Sequence, residues 1–276
     1  MSFKVVVKLI LWIGAGYLLL VGALIMFQNQ IIFHPSGQMI DSPDRLGLEW
    51  SEHYIETPDG VTIHGWLIGD ASEQPVVIYS HGNAGNISGR IGIAETIVNQ
   101  GAAVFLYDYR GYGNSEGSPD EAGIYTDGIA VVNYLEEEAG IPPERMIFYG
   151  RSLGGAVAAR QAAEFDGRAL VLDSSFINGK EIASDVYPFV PGFLVPIQFP
   201  VDEDLRTSRI DTVLVMHGSS DRIVNIRHGK RLYEIASETK NARFVELQGG
   251  HNDSFNTSRD LFAESWSSLI RDTDDS

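Results

Sequence analysis

Residues 145–165 read RMIFYGRSLGGAVAARQAAEF. The first six form a short apolar, β-rich run, and from Gly154 onward the chain is rich in alanine, with good helix propensity. Ser152 therefore falls on a sharp strand-to-helix turn, in the pattern Gly-x-Ser-x-Gly set by Gly150 and Gly154. Glycine at both places permits close backbone approach, so the hydroxyl can project above the edge of a sheet. The helix N-terminus behind it offers orphan N–H groups and a favourable dipole to developing negative charge. The same pattern recurs as GNSEG at 113–117, but Ser115 has no strand directly before it. It is trailed by Ser118-Pro119-Asp120, a turn composition that delays the next helix. Ser152 is the candidate nucleophile, and the glycines around Ser115 serve turns.

Outward from this turn the rhythm repeats. PVVIYSHG (75–82), AAVFLYDYRG (102–111), ALVLDSS (169–175), TVLVMHG (212–218) and RFVELQGG (243–250) are short apolar runs. Between most of them lie segments of helical length, such as ISGRIGIAETIVNQ (87–100) and EAGIYTDGIAVVNYLEEEA (121–139). Continuous apolar strands separated by helices predict an α/β fold, a mostly parallel sheet covered on both faces. HYIETPDGVTIHGWLIG (53–69) adds a hairpin around Pro58-Asp59-Gly60. The interval before TVLVMHG breaks the rhythm, because its four prolines, Pro188, Pro191, Pro196 and Pro200, forbid a long helix. We read residues from about 176 to about 206 as an insertion. It is either a short cap, with Phe189, Phe193, Leu194 and Phe199 over an apolar pocket or against a membrane, or a crossover whose aromatics fill core.

The 276 residues carry a net charge of −17, which argues against a nucleic-acid partner, since phosphate binding needs a basic face. The chain has no cysteine, which excludes disulfides, thiolate metal sites and a cysteine nucleophile. Acidic runs such as Asp202-Glu203-Asp204 and the tail RDTDDS lack ligand spacing, so neither a metal nor a cofactor is expected. From Leu9 to Phe27 there is no charge, and at about 1.5 Å per residue the run nearly matches a hydrocarbon core of about 30 Å. Its rivals are a cleaved signal peptide or a buried core helix, but the run is long for the first and lacks the polar face of the second. Lys4 and Lys8 precede it and no Lys or Arg follows until Arg45, which predicts a cytoplasmic N-terminus and a catalytic domain outside the cytoplasm. The expected plan is an anchor at 1–28, a linker at 29–49 and one domain at 50–276.

A serine hydroxyl needs a base, itself oriented by an acid. His251, in QGGHND just past the last strand, is the best placed of the seven histidines. His81 and His217 each end a strand in His-Gly, where an imidazole buttresses the turn. Asp221, just past TVLVMHG, is the acid, with Asp173 as the alternative. The order Ser152, Asp221, His251 is the order associated with this nucleophile turn. For an oxyanion, the N–H of Leu153 is one donor, and SHGNAGN after the first parallel strand supplies the other, at Asn83 with Ala84 as a fallback.

Taken together, HGNAGN (81–86), DYRGYGNSEGSP (108–119), GRSLGG (150–155), HGSSDRIV (217–224) and GGHND (249–253) resemble, in that order, the α/β-hydrolase superfamily. The chain is similar to its membrane-anchored serine hydrolases near the prolyl-oligopeptidase and serine-aminopeptidase branches. The resemblance implies an eight-stranded, mostly parallel sheet and acyl transfer to water. It carries over Ser152 as nucleophile, Asp221 as acid, His251 as base, and Asn83 with Leu153 as oxyanion donors. It also implies a shared structural loop at 108–117 tied down by Asp108 and Arg110. Esterases, thioesterases and peptidases all fall within it. The aromatic cap and the anchor favour an ester with an apolar, lipid-like acyl part; an acyl-thioesterase, a peptidase and a noncatalytic anchored binding module are the alternatives.

Overall fold

A computed structural model describes residues 2–274; Met1 and the last two residues of the acidic tail lie outside it. Eight strands form one sheet: β1 (Trp50–Glu56), β2 (Thr62–Ile68), β3 (Val76–Ser80), β4 (Ala103–Tyr107), β5 (Met146–Arg151), β6 (Ala169–Asp173), β7 (Thr212–Gly218) and β8 (Asn241–Leu247). Their spatial order is β1-β2-β4-β3-β5-β6-β7-β8. β1 pairs antiparallel with β2, Trp50 facing Ile68 and Glu56 facing Thr62, and β2 pairs antiparallel with β4. Every later pairing is parallel. All five residues of β3, of β4 and of β6 are buried, which is why these strands read as unbroken apolar runs rather than alternating ones. β3 lies between β4 and β5, so the chain leaves it first to one side and then to the other, and a crevice opens beyond the strands' carboxyl ends at this switch point.

The helices are α1 (Phe3–Met26), α2 (Gln28–Ile32), α3 (Ile91–Val98), α4 (Glu121–Glu137), α5 (Gly154–Glu164), α6 (Gly179–Val186), α7 (Val201–Thr207), α8 (Ile226–Ser237), α9 (Ser254–Thr257) and α10 (Arg259–Asp274). Successive residues of each strand point to opposite faces. Val76 and Ile78 join one core with Ile124 and Val131 of α4 and Val157 of α5; Val77 and Tyr79 join the other with Ile97 of α3 and Trp266 of α10. The segment between β6 and β7 forms α6, a single 3-10 turn at Gly192–Leu194, and α7, short pieces set by its prolines. α7 packs on α5 and α8, and so belongs to the body's helical layer.

Helix α1, 24 residues and about 36 Å long, is long and apolar enough to cross a membrane. Val21 is its one buried residue, which separates it from the core helix of a soluble protein. The chain after it is docked rather than free. His34 and Pro35 pair in parallel with Ala84 and Gly85, the His34 amide donates to the Asn83 carbonyl at 2.9 Å, and Asn86 Nδ2 donates to the Ser36 and Gln38 carbonyls, each at 2.9 Å. The expected linker is thus stitched to the loop that follows β3.

Candidate active site

The site is built at the carboxyl ends of β5, β7 and β8. Ser152 directly follows β5 with φ of +54°, a left-handed conformation that costs a serine about 1–2 kcal/mol. Its backbone holds that turn from both sides: the amide donates to the Asp173 carbonyl at 2.8 Å, and the carbonyl accepts from the Gly155 amide and the Ser175 hydroxyl, each at 3.0 Å. A Cβ at Gly154 would strike the Ser80 carbonyl, and one at Gly150 the Gly154 carbonyl, so the turn closes only with glycine at both positions.

β8 is three strand spacings, about 14 Å, from β5, so His251 must lean over the sheet to reach Ser152. The loops after β7 and β8 do this as one body, with the Ser219 amide donating to the Leu247 carbonyl at 2.7 Å and the Ser220 amide to the Gly249 carbonyl at 2.9 Å. His251 Nδ1 then lies 2.7 Å from Asp221 Oδ2, and His251 Nε2 lies 2.9 Å from Ser152 Oγ. A carboxylate only accepts, so Nδ1 carries the hydrogen and Nε2 is left to accept from the serine hydroxyl. Asp221 Oδ1 accepts from the amides of Ile223 and Val224, both at 2.9 Å. Burial opposes ionisation of Asp221, but the His251 and backbone hydrogen bonds outweigh it and hold the carboxyl below its ordinary range. His217, 3.5 Å from Asp221, is pushed down by burial and donates from Nε2 to the Val224 carbonyl at 2.8 Å, bracing the same turn. An array of this kind can take the proton from a hydroxyl as it attacks a carbonyl.

Two residues complete the setting. Arg151 donates from Nη2 to the His251 carbonyl at 2.5 Å and pairs with Asp173 at 3.6 Å; burial opposes its charge, but Asp173 and nearby groups raise its pKa above the ordinary arginine value. Sequence reading passed over this arginine, whose only signal is its place inside the serine turn. Asp173, the alternative acid, is engaged elsewhere, accepting from the Tyr149 hydroxyl at 2.9 Å and the Ser174 hydroxyl at 3.0 Å. Asn83 and Leu153 both border the site, and among the described residues neither backbone N–H has a protein acceptor. Ser115 is occupied structurally: its hydroxyl donates to the Asp108 carbonyl at 2.8 Å and accepts from the His64 amide at 2.9 Å. Arg110 ties the same loop to Asp127 and Asp59 through hydrogen bonds of 2.7–3.2 Å.

A cavity of about 270 Å³ opens over Ser152. Leu194 and Phe199 line it, as expected, together with Phe176, Ile182 and Val186. Phe189 and Phe193 do not: they are 49% and 84% exposed, and the 3-10 turn that brings Leu194 to the cavity turns Phe193 out. The opposite wall was not foreseen. It comes from Val21, Leu24 and Ile25 near the end of α1 and from Ile31 and Ile32 of α2.

Residues 75–195 match the family model for the alpha/beta hydrolase fold. The chain is 31% identical over 274 residues to the alpha/beta hydrolase domain-containing protein WAV2 of Arabidopsis thaliana, covering 89% of this chain and 88% of that one. It is 30% identical over 264 residues to the membrane protein YNL320W of Saccharomyces cerevisiae, covering 91% and 90%. The Pyrococcus furiosus esterase Pf2001 superposes with a TM-score of 0.73 at 19% identity, covering 87% of this chain and 97% of that one, a likeness of fold. With its strand order, its strained serine turn and relatives matched over nearly their whole length, the chain belongs to the α/β-hydrolase superfamily.

Proposed function

We propose that the protein is a serine hydrolase that cleaves carboxylic esters with an apolar acyl part through an acyl-enzyme on Ser152. The observation that carries this reading is the unbroken chain Ser152–His251–Asp221 opening on an apolar cavity. In this reading His251 Nε2 takes the Ser152 proton as Oγ attacks the ester carbonyl, and Asp221 steadies the imidazolium. The amides of Asn83 and Leu153 stabilise the tetrahedral oxyanion; a donor of this kind contributes about 10²–10³ in rate. His251 returns the proton to the leaving alcohol, and water activated by the same imidazole releases the acid. The acyl chain lies against Phe176, Leu194 and Phe199.

No carboxylate borders the cavity among the described residues, which favours an ester over a peptide, since recognition of a free amine terminus needs acidic partners. Lys4 and Lys8, in the first two turns of α1 and ahead of its charge-free run, support a span with its N-terminus in the cytoplasm and the hydrolase domain on the other side. The test is a fluorophosphonate probe followed by p-nitrophenyl esters of rising chain length set against aminoacyl anilides. Labelling lost in Ser152→Ala and kept in Ser115→Ala, with esters outpacing anilides, is expected. Absence of labelling in folded protein would instead support a binding module, and preferential anilide cleavage a peptidase.

A further inference from the structure

Residues 186–197 read VYPFVPGFLVPI, twelve positions without a charge, between Asp185 and Gln198. Val186, Phe189 and Phe193 within it are exposed. This segment does not stand clear of the apolar helix but lies along it: the Tyr17 hydroxyl donates to the Phe189 carbonyl at 2.9 Å. Tyr17 is the ninth of the nineteen charge-free residues from Leu9 to Phe27, about 15 Å along the axis from Phe27. If α1 spans a bilayer whose hydrocarbon is about 30 Å thick, a group bonded to Tyr17 sits close to the middle of the hydrocarbon, and the chain from there to Phe27 crosses one leaflet.

The backbone of the segment is partly suited to that depth. Hydrocarbon offers no partner to a free N–H. Pro188, Pro191 and Pro196 have none, and the amides of Tyr187, Val190, Leu194 and Val195 donate to carbonyls close by in the chain, which leaves those of Phe189, Gly192, Phe193 and Ile197 without a protein acceptor among the described residues. The prolines that break the helix thus also reduce the number of donors that lipid would leave unpaired. Tyr17, the phenol within the otherwise apolar run from Leu9 to Phe27, has its hydroxyl satisfied by the same contact.

We infer that the cap segment 186–197 is immersed in the leaflet beside α1, with lipid acyl chains covering Val186, Phe189 and Phe193, and that substrate enters laterally between the two. The cavity over Ser152 lies between Leu24 and Ile25 on one side and Val190 and Leu194 on the other, so an acyl chain passes from bilayer to site without crossing water. The substrate class is then a membrane-resident amphiphile with a long acyl ester. This second half rests on the hydrolase reading above; the immersion rests only on the proposed span of α1.

The chain has no cysteine, so single labels are clean. Phe193→Cys and Glu138→Cys, the latter at the end of the sheet away from Ser152, each carry a nitrobenzoxadiazole fluorophore on full-length protein in phosphatidylcholine vesicles containing doxyl-labelled acyl chains. Position 193 should be blue-shifted and strongly quenched, and position 138 should stay water-like. Water-like emission at both overturns the immersion. For entry, Phe193→Asp should lower the ratio of turnover of a long-chain ester in vesicles to turnover of a short soluble ester by about tenfold, the partitioning of one aromatic ring. An unchanged ratio overturns lateral entry. A lipid-like signal at 193 in protein that labels with no fluorophosphonate and turns over no ester leaves the immersion standing and removes the hydrolase reading instead.

Discussion

Asp221→Asn isolates the acid in the proposed array with little change of shape. Asp221 Oδ1 accepts two backbone amides, at Ile223 and Val224, and Oδ2 faces His251 Nδ1 at 2.7 Å. An asparagine keeps its one acceptor oxygen on the two amides, because reversing the group would set an NH₂ against two N–H donors. Its NH₂ therefore meets His251, and the imidazole has to place its hydrogen on Nε2. That nitrogen can no longer accept from Ser152 Oγ across 2.9 Å, and base catalysis stops. Turnover of p-nitrophenyl butyrate should fall about 10⁴-fold, equivalent to about 5 kcal/mol of activation free energy. Thermal melting at neutral pH should register only the lost charge-assisted bond. Asp173→Asn is the contrast: it weakens the Tyr149 and Ser174 contacts and the Arg151 pairing, so it should lower the melting temperature and spare most turnover. The reasoning fails if Asp221→Asn retains more than about one-tenth of wild-type turnover while Asp173→Asn abolishes it.

Ser115→Ala should leave fluorophosphonate labelling unchanged and cost about 1–3 kcal/mol in denaturant unfolding, since the Asp108 and His64 backbone contacts lose their partner. Leu24→Trp, on the cavity wall formed by α1, should move the chain-length optimum to shorter esters, with about a fourfold loss in kcat/KM per methylene that no longer fits. Because the Asp221 carboxyl is held below its ordinary value, the stability it contributes is present above about pH 4 and is lost as pH falls through its folded value. An acid titration of unfolding should therefore bring wild type and Asp221→Asn together below about pH 4, and a constant gap across that range would contradict the shift.

The central strands were legible because burial on both faces leaves no room for alternation, so ALVLD and TVLVM announce themselves without an alignment. The serine turn was legible because it is local: strand, glycine and helix lie within about twenty residues, and two of those glycines meet backbone that a methyl would strike. The meeting of Asp221 and His251 follows from loops on neighbouring parallel strands. What stayed hidden was tertiary. Residues 29–49 have loop composition, and nothing in it declares a partner fifty positions away at Asn83 or Asn86. In a proline-broken segment no period fixes which way a side chain points, so Phe189 and Phe193 could not be told from Leu194 and Phe199. The Arg151 contact to His251 depends on a loop placed a hundred residues later.

The stitching of the segment that leaves α1 gives this connection a mechanical character. Asn83 is clasped three ways, by the Ile32 carbonyl on its side chain and by the His34 amide and the Tyr112 hydroxyl on its carbonyl. Two of those three hands belong to the stretch leaving α1. A protein shed by proteolysis beyond Ser36 would keep every strand of the sheet yet let go of Asn83, whereas a cut within α1 would leave the clasp in place. Hydrogen exchange at the Asn83 side-chain amide, which donates to the Ile32 carbonyl, should distinguish the two forms, and equal protection in both would show that the clasp carries no load.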